Sequence, residues 1–157
     1  MTAKEISNRF EAFFKEDDWK YETINLEDGN RAFTGAIGGL DGAYSSVKFF
    51  VFPKDGSVQA IAMVPASAKN VLPAMAEFLH RANYGLNFGK FELDFSDGEI
   101  RFQMSYPEEA FAGPNASERF KTFLYGPACM INKYSKGIAA VLLGLATPEQ
   151  AVKMCEG

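Results

Sequence analysis

The usual carriers of acid–base, thiol and zinc chemistry are scarce in this sequence. It holds one histidine, His80, and two cysteines, Cys129 and Cys155. His80 stands in "FLHRAN" with no carboxylate or cysteine close by in sequence. At about 100° per residue it lies roughly 140° from the centre of the neighbouring apolar stripe, on the polar face of a helix. A metal centre needs several His, Cys or carboxylate ligands converging, and the histidine and the two separated cysteines supply no such spacing. Glu16–Asp17–Asp18 and Glu108–Glu109 are neighbouring carboxylates, but adjacent residues at a helix end point different ways. Glycoside chemistry instead needs two carboxyls opposed across a cleft. No serine sits in a Gly–x–Ser–x–Gly elbow. The glycines of "GAIGGLDG" (35–42) lack the Gly–Lys–Ser/Thr ending of a phosphate loop and read as a turn or bend. These patterns predict a protein that is not an enzyme and carries no metal or cofactor.

Composition narrows the classes further. The chain has 157 residues, 47 % of them hydrophobic, and 15 are Phe, enough for a real core in a single domain spanning 1–157. A net charge of −4 with singly scattered basic residues leaves no electrostatic footprint for nucleic acid or an anionic membrane. Lys4, Glu5 and Arg9 interrupt any signal-like amino-terminal run. The longest apolar stretch, Gly137–Ala146, is far short of the roughly 20 residues that cross a bilayer. A cytoplasmic location with free thiols is expected.

The elements that would position any site follow from periodicity. Thr2 and Glu5 form a capping box ahead of a helix burying Ile6, Phe10, Phe13 and Phe14, with Trp19 packing back after it. "KYETINL" and "RAFTGAI" read as strands about the turn Glu27–Asn30. "YSSVKFFVFPKDGSVQAIAMVP" reads as a hairpin about Asp55–Gly56, closed by a two-residue turn or by a three-residue loop with a bulge. In either register Val47, Phe49 and Val51 oppose Lys48, Phe50 and Phe52 across one strand. Val58, Ala60, Ala62 and Val64 oppose Gln59, Ile61 and Met63 across the other. Both faces are mostly apolar, so the second face is expected to be covered by another element, another subunit or a partner.

Asn70 is the expected cap of a second helix to about Ala82, with Pro73 in its first turn. "KFELDFSDGEIRFQMSY" reads as a hairpin with a two-residue Asp97–Gly98 turn, pairing Asp94 with Arg101 and Glu92 with Gln103 on a wet face. A long helix begins near Ser117 and is expected to kink or break at Gly126–Pro127. Its apolar continuation, Gly137–Leu145, predicts burial on more than one side. Thr147–Gln150 starts a short closing helix. The order α-β-β-β-β-α-β-β-α gives an α+β domain with an antiparallel sheet of about five to six strands packed by helices. Between helix and second hairpin, Asn83, Tyr84, Gly85, Asn87 and Gly89 read as helix termination, with Tyr84, Leu86 and Phe88 packing to anchor the reversal.

The stretch "FLHRANYGLNFGKFELDFSDGEIRF" resembles the YbjN family, a branch of the type III secretion chaperone-like superfamily whose members are bacterial and are described as sensory transduction regulators. The likeness rests on Asn83 and Gly85 at the helix end, then Gly89, Phe91 and Asp94 in a G-x-F-x-x-D strand. The closing "GLATPEQAVKM" adds to it. The resemblance implies helices on one face of a curved antiparallel sheet, frequently a homodimer. It also implies capture of extended client segments through apolar patches and strand addition.

The residues and the resemblance together predict a non-enzymatic protein-binding module, chaperone-like or regulatory, working as a homodimer with a protein partner. Its surface candidates are Phe50, Phe52, Ile61 and Met63 on the hairpin, and Val141 and Leu142 in the apolar segment Ala139–Leu145. The alternative is a small-ligand sensor with an apolar pocket between sheet and helices.

Overall fold

A computed structural model describes residues 1–157. Thr2 and Glu5 close the expected capping box on α1 (Ala3–Glu16). The Ala3 N–H also donates to Asp55 Oδ1 at 2.8 Å, tying the helix start to a distant turn. The sheet is built from β1 (Glu22–Asn25), β2 (Arg31–Ile37), β3 (Val47–Lys54), β4 (Ser57–Ser67), β5 (Lys90–Leu93) and β6 (Glu99–Pro107). Helix α2 (Leu72–Asn83) lies between β4 and β5 in sequence. A 3-10 turn (Glu108–Phe111), α3 (Ala116–Leu142) and α4 (Pro148–Glu156) follow β6. The six strands run in the order β1-β2-β3-β4-β6-β5, every neighbouring pair antiparallel. This is the α+β class that the element order predicts.

All the helix–sheet packing falls on one face. α1 packs on β2 and β3, α3 on β3, β4 and β6, and α2 on β5. The alternation of β3 and β4 sends Phe49, Val51, Val58, Ala60 and Ala62 into one continuous core with the helix residues Phe10, Phe14, Phe78, Phe123 and Ile131. Phenylalanine rings fill the space between α1, α3 and the sheet. Phe10 lies 4.7 Å from Phe120 and 5.2 Å from Phe111, centroid to centroid. The β3–β4 hairpin closes with the two-residue turn, since Lys54 pairs with Ser57.

Four expectations are corrected. In β5–β6, Glu92 pairs with Arg101 and Phe91 with Phe102, two residues away from the expected register. Asp94 is the cause. Its carboxylate accepts from the Ser96 N–H and hydroxyl, and the Gly98 N–H bonds the Asp94 carbonyl. This Asx-type turn needs a four-residue loop and so excludes the tighter hairpin. A shift of two preserves face parity, so the core residues are unchanged while Phe95 moves into the exposed loop. Second, α2 starts one residue late: Val71 occupies the cap position, because a turn closed by the Val71 N–H to Ala68 carbonyl precedes it. Third, α3 does not break at Pro127 but continues as helix to Leu142. Phe123 and Leu124 before the proline, and Ala128 and Ile131 after it, are all buried. Packing on both sides outweighs the roughly 3 kcal/mol local penalty. Gly126 helps, since a Cβ there would sit 2.8 Å from Met104 Sδ on β6. Fourth, the apolar run at the end of α3 is only partly buried: Leu143 and Leu145 are exposed.

Several turns hang on carboxylates. Asn132 donates to Asp41 (2.7 Å) and also accepts from the Gly42 N–H, pinning the 38–46 loop to α3. The Ser96 hydroxyl and N–H hold the Asp94 carboxyl below its ordinary range, and the Asn30 N–H and side chain do the same for Asp28. Asp41 is lowered by Asn132, and Glu11 by the hydrogen bond from Arg31. Depressed folded-state values mean that these contributions are complete above the unfolded carboxylate range, near 4, and vanish as pH falls through the folded values. Thermal unfolding followed by circular dichroism should give a flat Tm from pH 8 to about 5.5 and a falling one below about 4.5. A Tm steady down to pH 3 would contradict this reading of the turns.

Candidate functional site

The alternation that buries Phe49 and Val51 turns Lys48, Phe50, Phe52 and Lys54 to the opposite face of β3. Registers with the neighbouring strands place Ile61 beside Phe50 and Met63 beside Lys48, with Thr34 on the far side of Phe50. No helix covers this outer face. Phe50, Phe52 and Met63 are half-buried, sheltered mainly by one another. The Phe50 and Phe52 rings stack with centroids 6.0 Å apart and planes inclined by 10°. Ile61 is only 4 % exposed yet lies outside the core cluster, so its burial comes from neighbours on the outer face itself. Of the three coverings expected for this face, the chain's own helices are thus excluded. Ile24 on β1, opposite the buried Ala32, extends the apolar strip. The alternation in "ETIN" is the sequence signal for it.

The strip has a polar border on its β6 side. Gln59 donates to Gln103 across the strands (3.2 Å), and Arg101 pairs with Glu92 at 3.0 Å, so this half of the face satisfies itself. The cations on β3 are different. Lys48 sits 5.2 Å over the Phe50 ring, and neither Lys48 nor Lys54 makes an ion pair. An open groove of about 620 Å³ crosses one end of the face, lined by Lys20, Glu22, Thr34, Ala36 and Lys48 among others. A smaller one of about 240 Å³ lies at the other end, beside Leu26, Phe52 and Lys54.

The two sheet edges are unlike each other. At β5 the Asn83 side chain takes both backbone groups of Phe91, donating to its carbonyl (3.0 Å) and accepting from its N–H (2.7 Å). Asn83 therefore ends α2 and covers the outward backbone groups of Phe91 at once. Gly85 and Gly89 turn the chain between them with φ of +83° and +73°. Asp94 closes β5 through its turn. Tyr84 and Phe88, expected to pack, are 91 % and 68 % exposed, and of the three only Leu86 rests on the core. At β1 the Leu26 N–H bonds the Asn30 carbonyl, so by alternation Glu22 and Ile24 point toward β2. The backbone groups of Tyr21, Thr23 and Asn25 then face outward along an open edge.

His80 is exposed, as its helical phase requires. It lines an open groove of about 560 Å³ between α2 and α4 with Glu77, Tyr84, Glu149 and Glu156. Its side chain makes no hydrogen bond, and Glu156 is already engaged by the buried Tyr134 hydroxyl at 2.6 Å. Burial, with that bond, pushes the Tyr134 phenol well above its usual range. No cluster of His, Cys and carboxylates has the geometry to hold a metal. The second candidate patch divides: Val141 is 2 % exposed in the core, which removes it from any surface, while Leu142 is half-buried. No helix is long and apolar enough to cross a membrane.

Fold and site together define an α+β domain whose antiparallel sheet is backed by helices on one face and carries an apolar strip on the other. A family model described as "Putative bacterial sensory transduction regulator" matches residues 7–120, well over half of the chain, and the protein belongs to that family, YbjN. The matched span contains all six strands and the Asn83–Asp94 reversal, and ends before the closing "GLATPEQAVKM". No curated protein and no solved structure matches the chain.

Proposed function

We propose that this protein is a non-enzymatic protein-binding module, regulatory or chaperone-like, that works as a homodimer and receives its partner on the uncovered sheet face. The observation that carries this reading is the strip of half-buried Phe50, Phe52 and Met63 around the buried Ile61, which the chain's own helices leave open. Contiguous apolar surface on a soluble domain marks an interaction site. A regulatory role accords with the family description. The open β1 edge supports the chaperone-like form, because an extended client segment could add to it as a seventh strand. The homodimer is supported by the chaperone-like resemblance and by the exposed Leu143 and Leu145 at the end of α3.

The test is capture of partners by tagged protein, with Phe50→Asp/Ile61→Asp as control and circular dichroism to show that the variant folds. Proteins held by the wild type should be lost from the variant. A folded variant that retained them all would remove this reading. Light scattering on both should report a mass of twice the 17.3 kDa chain.

A further inference from the structure

The pattern along the outer face of β3 is cation–aromatic–aromatic–cation at alternate positions: Lys48, Phe50, Phe52, Lys54. From this we infer that the face docks an amphipathic helix of a partner protein whose apolar stripe is flanked at both ends by acidic residues. The inference rests on the protein-binding reading above and adds the partner's chemistry to it.

Charge complementarity selects the acidic flanks. Arg101 and Lys90 on the same face of the sheet share Glu92 as an ion-pair partner, at 3.0 and 3.8 Å. Lys48 and Lys54, at the two ends of the apolar strip, have no carboxylate within ion-pair distance, although the chain as a whole carries −4. Across six residues of strand the two lysine Cα atoms stand roughly 20 Å apart, the length of about 13 helical residues. Backbone satisfaction selects a helix. The face of a sheet offers no donors or acceptors, so an extended segment laid on the strip would bury unpaired amides, whereas a helix pairs its own. A second copy of the chain fits poorly. An isologous contact centred on Phe50 and Phe52 would set Lys48 of one protomer against Lys54 of the other, cation to cation.

The test uses the full chain and two synthetic 18-residue helical peptides with the same leucine stripe, one flanked by Glu and one by Lys, titrated by fluorescence anisotropy. The Glu-flanked peptide should bind about tenfold or more tightly than the Lys-flanked one, with the difference shrinking as salt rises. Lys48→Glu/Lys54→Glu should reverse the order, and Phe50→Asp/Ile61→Asp should abolish both interactions. Equal affinity for the two peptides, or a preference that survives reversal of both lysines, would overturn the inference while leaving the capture experiment to judge the broader reading. Conversion of a dimer to a monomer by Phe50→Asp/Ile61→Asp would also overturn it, by assigning the face to a second copy.

Discussion

Phe14→Ala should cost about 3–5 kcal/mol. Phe14 is fully buried and joins three parts of the molecule. Its ring stacks on Tyr21 (4.8 Å), meets Phe33 on β2 edge-on (5.5 Å), and lies 6.2 Å from Phe49 on β3. Trp19 closes the cluster at 5.8 Å. Removing the ring takes away its transfer free energy, the stack on Tyr21 and the edge-to-face contact with Phe33. It also leaves a cavity between α1 and the sheet that surrounding rings cannot collapse to fill. Urea unfolding followed by Trp19 fluorescence should show a lower midpoint with an unchanged slope. A loss under about 1.5 kcal/mol would mean that the cluster repacks, and that the rings are not the rigid core described above.

Gly89→Ala is expected to cost on the order of 3 kcal/mol, a large effect for adding one methyl group. Two causes add. Gly89 has φ of +73°, where an L side chain costs roughly 1–2 kcal/mol. A Cβ there would also stand 2.5 Å from the Gln103 carbonyl oxygen and 2.6 Å from the Phe102 ring. The oxygen belongs to the β6 backbone, so relief requires moving the strand pair. Gly85→Ala is the internal control: its φ is similar, +83°, but nothing lies within 4 Å of its Cβ position. It should cost only the conformational part, about 1 kcal/mol. Chemical denaturation of the two variants side by side decides the matter, and equal losses would show that close approach of β5 and β6 contributes nothing.

The contrast between these glycines shows where sequence reasoning stops. "ANYGLNFGKF" marks a helix end and a reversal by its residue types alone. Which glycine is crowded depends on Phe102 and Gln103, which the chain brings back only after a four-residue turn. Asn83 is a similar case. Its type suits a helix terminus, but its pairing with both backbone groups of Phe91 exists only once α2 lies beside β5. The β5–β6 register failed for a local reason that was within reach, since Asp94–Phe95–Ser96 carries the side-chain acceptor of an Asx turn. The continuity of α3 through Pro127 has a non-local cause: burial on both sides of it outweighs the breaking tendency of an isolated helix.

By itself the sequence determined the class of fold, the element order, the Thr2–Glu5 capping box and the alternation that sets Phe50 and Phe52 opposite Phe49 and Val51. Each of these is written in local residue types or in a period of 2 or 3.6, quantities that need no knowledge of distant contacts. Only the tertiary structure decided that all four helices leave the outer face bare, that Asn83 covers Phe91 on the β5 edge while β1 stays open, and that Val141 is core and Lys48 unpaired. Those facts depend on which surfaces meet. Burial and pairing belong to two segments at once, and periodicity reports on one segment at a time.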